Sequence, residues 1–167
     1  MYNFEKLVEK CRKDEKYFVI HNASRAHARI LFQNLLIESA EKHEDVCLLS
    51  GKLDAKFYDD LLPDVTKALQ AGVKVRVLIA ENDSKAPPSQ RFIDAVCQFE
   101  NGTVRTNTDL SSNIPHFIVV GDHKYRLELD DDASRAVANF RDEMVGQRLV
   151  SGFNDVWGRS PSHANAK

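Results

Sequence analysis

Apolar residues recur along this chain in two alternating rhythms, one of helical period and one of short continuous runs. Phe4, Leu7, Val8 and Cys11 stand at helical spacing and predict a short amphipathic helix. Tyr17-Phe18-Val19-Ile20 is a β-prone run ended by His21-Asn22-Ala23-Ser24, where Ser24 is placed to cap the next helix. That helix extends to about His43, with Ala28, Leu31, Phe32, Leu35, Leu36 and Ala40 on one stripe and Arg25, Arg29, Gln33 and Lys42 mostly opposite. Val46-Cys47-Leu48-Leu49, closing at Ser50-Gly51-Lys52, reads as a strand buried on both faces. A second helix spans Ala55 to Ala71, kinked or restarted at Pro63, with Gly72 as its C-terminal glycine. Val73 to Ala80 is the next strand, followed by a polar loop from Asp83 to Pro88 and a short helix from Gln90 to Phe99.

The second half changes character. Asn101-Gly102 opens a turn, Thr103 to Thr106 is a short strand, and Asn107 to Asn113 is a polar loop. Pro115 to Val120, a turn about Gly121 to Lys124, and Tyr125 to Leu129 predict a β-hairpin that the acidic run Asp130-Asp131-Asp132 ends. In its second strand Arg126 and Glu128 alternate with Leu127 and Leu129, which most simply makes them solvated cross-strand partners, with the lining of a cleft as the alternative. From about Asp142, Val145, Leu149, Phe153 and Trp157 mark a final amphipathic helix. Three strand-helix units followed by a hairpin and a helix predict an α/β fold. Its sheet is expected to be mostly parallel and flanked by helices on both faces. The expected organisation is one domain over residues 1–158 and a flexible tail over 159–167.

Composition narrows the function classes. With 43% hydrophobic and 29% charged residues the chain is globular, and no run approaches the roughly 18 apolar residues of a membrane span. Met1 to Lys16 lacks the apolar core of a secretory signal, so a soluble cytoplasmic protein is expected. A net charge of −2 implies no whole-molecule attraction to nucleic acid or to an anionic membrane, which leaves only a local basic patch to serve such a partner. Cys11, Cys47 and Cys97 are odd in number and scattered, without CxxC or zinc spacing, and read as reduced thiols. Dinucleotide, Walker-type, serine hydrolase and zincin motifs are all absent. Three consecutive carboxylates in a loop rarely converge on one ion, so Asp130 to Asp132 are not expected to hold a metal.

Candidate chemistry gathers at strand ends. His116 opens a strand whose same face carries Ile118 and Val120, either as a core-edge histidine or as a site residue. Asp122 sits in a Gly-Asp-His-Lys turn and Asn139 in a connection before a helix, positions these residue types also occupy for backbone reasons. Ser24, Arg25 and His27 follow the carboxyl end of one strand and Ser50, Gly51 and Lys52 that of another, where open sheets bind ligands.

The order of elements, with the segments His116-Phe117-Ile118-Val119-Val120-Gly121-Asp122 and Ala136-Val137-Ala138-Asn139-Phe140, resembles the phospholipase D superfamily. Members of that family carry HxKxxxxD on a strand, a stretch such as GSANF, and a C-terminal helix. The resemblance implies that His116 stands at the nucleophile's position, where a phosphohistidine would form, and that no metal or other cofactor is needed. It also implies a degenerate motif. Ile118 stands where the lysine belongs, Asp122 comes six residues after His116 where the spacing requires seven, and Val137 replaces the serine before Asn139. The catalytic set that the resemblance implies is therefore His116, Asp122 and Asn139; Lys124 or Lys52 is the candidate substitute for the missing cation, and Arg25 and His27, past the carboxyl end of a strand, are further phosphate-binding candidates. Because one chain supplies one half-site, the resemblance implies a homodimer. Three functions follow as expectations: a degenerate domain that binds a phosphodiester or nucleic acid; an active metal-independent phosphodiesterase or nuclease; and a non-catalytic regulatory or interaction module.

Overall fold

The computed structural model describes residues 3–80, 86–110, 114–129 and 135–163. In chain order these form α1 (Phe4–Asp14), β1 (Ile20–Asn22), α2 (Arg25–Lys42), β2 (Val46–Ser50), α3 (Ala55–Tyr58) and a 3-10 turn (Asp59–Leu61). They continue as α4 (Leu62–Gln70), β3 (Val75–Ile79), α5 (Gln90–Cys97), β4 (Gly102–Thr106), β5 (Phe117–Val120), β6 (Lys124–Glu128), β7 (Ala136–Asn139) and α6 (Glu143–Trp157). The helix starts are capped where short polar side chains precede them. Ser24 Oγ accepts from the His27 amide at 3.1 Å, and the Asp142 carboxylate accepts from the Val145 amide at 3.2 Å. Pro63 does restart the second helix: it occupies the first turn of α4, where its missing N–H costs nothing. Gly72 follows that helix with φ +83°, a left-handed value that only glycine adopts freely.

The strands form one sheet in the order β1-β7-β6-β5-β2-β3-β4. Only β2–β3 and β3–β4 are parallel; β1–β7, β7–β6, β6–β5 and β5–β2 are antiparallel. The expectation of a mostly parallel sheet is thus corrected to a mixed one. An apolar run announces a strand without its direction, and the first strand, expected to start a parallel series, lies instead at the antiparallel edge against β7. Two boundaries also differ. Tyr17, Phe18 and Val19 stand exposed ahead of β1, and Ala136 to Asn139, read as a connection, pairs with both β1 and β6.

Helices cover both faces. On one, Leu31, Phe32 and Leu35 of α2, Val65 and Leu69 of α4 and Phe92 and Val96 of α5 pack on Ile20, Leu48, Val77, Ile118 and Ala138. On the other, Phe153 of α6 packs on Cys47, Leu49, Leu78, Phe117, Val119 and Tyr125. The stretch expected to be a tail is held at its start. The Thr106 amide donates to the Pro161 carbonyl at 3.2 Å, and the His163 amide donates to that of Val104 at 3.1 Å. No helix among the described residues is long and apolar enough to cross a membrane.

Candidate functional site

Strand register builds the site as two rows of side chains on the α2 face of the sheet. In the inner row Leu48, Ile118, Arg126, Ala138 and Ile20 lie side by side across β2, β5, β6, β7 and β1. Side chains two residues further along a strand return to the same face, so the outer row, at the sheet's end, comprises Ser50, His116, Glu128, Ala136 and Asn22. The inner row is apolar except for Arg126; the outer row is polar except for Ala136.

His116 precedes β5 with its side chain 30% exposed, and its Nδ1 lies 3.2 Å from Glu128 Oε2. The other carboxylate oxygen accepts from Arg126 Nη1 at 3.1 Å. Arg126 Nε donates to Asn22 Oδ1 at 3.2 Å, and the Phe32 ring centroid is 5.5 Å from the guanidinium carbon, a cation–π distance. Burial alone would raise the Glu128 carboxyl, but the His116 hydrogen bond and the Arg126 charge outweigh it and hold the group below the usual glutamate value. Tyr58, buried beside this cluster and hydrogen-bonded to Ser50, is pushed up to about 12 by burial and stays a neutral phenol.

A carboxylate on Nδ1 fixes the orientation of the imidazole and leaves Nε2 as the ring nitrogen that Glu128 does not engage. That arrangement supports nucleophilic or general-base chemistry, or the binding of an anion. Of the two expectations for Arg126 and Glu128, solvated pairs or the lining of a cleft, the first does not hold for Arg126, which is 2% exposed because α2 covers the face on which they lie. Period-two alternation gave the shared face of Arg126 and Glu128, whereas the observed register, with Lys124 already paired to Val120, sets Arg126 opposite Ile118.

The other expected residues divide by position. Lys52 is exposed just after β2, at the same end of the sheet as His116. Arg25, one residue past the α2 cap, is paired with Asp54, and its guanidinium carbon lies 5.7 Å from the Phe57 ring centroid. His27 turns to α1 and stacks on Phe4 with ring centroids 3.7 Å apart. Asp122 and Lys124 lie at the opposite end of the β5–β6 hairpin from His116. Asp122 is bound to His123, whose hydrogen bond lowers the carboxyl. Lys124 is buried, with Nζ 3.3 Å from Glu38 and 2.6 Å from Glu44. Asn139 is fully buried in register with Tyr125, three residues along β7 from the His116 row. Its Oδ1 accepts from the amides of Arg141 at 3.0 Å and Phe18 at 3.4 Å. The structure therefore brings neither Asp122, Lys124 nor Asn139 to His116. Asp130 to Asp132 lie outside the described residues, as do parts of the two polar loops, 83–85 and 111–113, and residues 164–167.

No family model matches the sequence, and no curated protein matches it. Solved structures do match the fold. Nuc from Salmonella typhimurium, described as a phospholipase D family member, aligns with a TM-score of 0.71 at 14% identity over 89% of this chain and 99% of that one. NucT from Helicobacter pylori aligns with a TM-score of 0.61 at 11% identity over 89% of this chain and 100% of its own. TrmBL2, described as an archaeal chromatin protein with a novel mode of DNA binding, aligns with a TM-score of 0.60 at 18% identity. That match covers 95% of this chain but only 60% of TrmBL2. The chain has a phospholipase D-like fold, and within that fold His116 and its Glu128 and Arg126 partners occupy one end of the sheet.

Proposed function

We propose that this chain is a phospholipase D-like domain with a degenerate catalytic signature, which binds the phosphodiester of a nucleic acid as a cytoplasmic homodimer. The observation that carries this reading is the inner row itself: where the family's lysine belongs, Ile118 is 1% exposed and apolar, while His116 remains at the sheet's end with its side chain partly exposed. A phosphoryl-transfer site without that cation loses a large share of its transition-state stabilisation but can still hold an anion. The DNA binding named for TrmBL2 supports nucleic acid as the partner. Three unpaired cysteines accord with the cytoplasm, and a single motif histidine, His116, accords with a site completed by a second copy.

A second reading, an active metal-independent phosphodiesterase or nuclease with His116 as nucleophile, is favoured by one specific feature. The Glu128 carboxylate on Nδ1 holds the ring as a nucleophilic histidine requires. One experiment separates the two. Wild type and His116→Ala are incubated with single- and double-stranded DNA and RNA in EDTA, and both retention and cleavage are followed. Retention without cleavage, weakening steeply with salt as counterion release requires, supports the binding domain. Cleavage abolished by His116→Ala establishes the enzyme, and neither retention nor cleavage at low salt removes both readings in favour of an interaction module.

A further inference from the structure

We propose that Arg126 supplies the cation that the motif has lost, donating from Nη2 to a phosphoryl oxygen held at His116. The inference deepens the phosphodiester reading above and rests on it. Arg126 is the direct cross-strand partner of Ile118, and such partners project from the same face of the sheet about 5 Å apart. The positive charge has thus moved one strand sideways along the same row, onto the residue paired with the one that lost it.

The hydrogen bonding of the guanidinium points to a ligand. Nε is used by Asn22 and Nη1 by Glu128, whereas Nη2 is buried and has no hydrogen-bond partner among the described residues. Buried polar groups are nearly always satisfied, and an unused donor on a buried cation in a row of site residues is most simply met by an arriving acceptor. Phe32 below and Asn22 beside it fix the plane of the fork, so that its remaining edge is preorganised. Glu128 joins the two halves of the site, because one carboxylate spans His116 and Arg126. It is the anion already present there. Since Nη2 is buried, a phosphate that reaches it must displace what covers it and compete with Glu128 for the same guanidinium.

The test follows the guanidinium directly. Inorganic phosphate, then a short DNA oligonucleotide, is titrated into arginine-labelled wild-type protein while the side-chain resonances are observed by NMR, with Arg126 assigned through Arg126→Lys. The Arg126 signal is expected to shift in proportion to saturation. In parallel, Arg126→Gln is expected to weaken phosphate binding by about tenfold or more. Adding Ile118→Lys to that variant is expected to restore most of the binding, by returning the charge to the other member of the cross-strand pair. The proposal is overturned, with the binding reading intact, if wild type binds phosphate while the Arg126 resonance stays in place or if Arg126→Gln binds equally well. A folded Arg126→Gln that weakens binding without recovery in the double variant makes Arg126 structural and also overturns it. Wild type that binds neither ligand overturns both readings. The wild-type titration needs no variant to remain folded beyond the one used for assignment.

Discussion

Glu128 holds His116 with one oxygen and Arg126 with the other, and this one side chain links titration to stability. Its carboxyl lies below the ordinary glutamate value in the folded chain, so its charged form contributes stability above that ordinary value, about 4.3 in an unfolded chain, and the contribution is lost as pH falls through the folded value. Melting temperatures measured between pH 3 and 7 should therefore fall more steeply on acidification for wild type than for Glu128→Gln; parallel curves would show that the pair contributes nothing. Lys124 gives a contrasting case. Buried between Glu38 and Glu44, it should cost roughly 3 kcal/mol in urea denaturation when replaced by Met, because it leaves a buried carboxylate with less compensation. Phosphate affinity should be unchanged in Lys124→Met, given its place at the far end of the hairpin. His116 was legible as a candidate because a polar residue opened an apolar strand. Its partners were misjudged because alternation along 125–129 shows that Arg126 and Glu128 share a face, not that a helix covers that face.

Elements are positioned by close approaches as much as by apolar stripes. α6 crosses the β5–β6 turn at Gly146, where an added Cβ would lie 2.2 Å from the Asp122 carbonyl oxygen. Gly146→Ala should cost about 1–3 kcal/mol, as overpacking does, through a shift of α6 from the turn. Equilibrium unfolding measures the loss, and a neutral result would mean that the helix end moves freely. Helices were the most legible elements, since Ser24, Asp142, Pro63 and Gly72 punctuate them locally. β7 escaped notice because Ala136 to Asn139 is short and weakly β-prone, and its strand character comes from its neighbours on either side. Asn139, expected beside His116, serves the backbone of Phe18 and Arg141 for the same reason: its register on β7 was unknown until that strand was paired.

For the molecule as a whole, a net charge of −2 means that any nucleic-acid binding must come from a local site. Retention of an oligonucleotide should weaken steeply as salt rises, as counterion release at phosphate contacts requires, and retention indifferent to salt would mean that phosphates are not what the chain holds. If the site is shared between copies, light scattering at micromolar concentration should give the mass of a dimer; a monomer would end the shared-site reading. The sequence by itself determined where the helices and most of the strands form, which faces of the helices are apolar, and that a polar residue, His116, opens an apolar strand, since these follow from local spacing and residue chemistry. Only the tertiary structure decided strand direction and order, the burial of Arg126 beneath α2 and its place across from Ile118. Pairing partners and covering layers are contacts between residues far apart in the chain, and no local pattern encodes them.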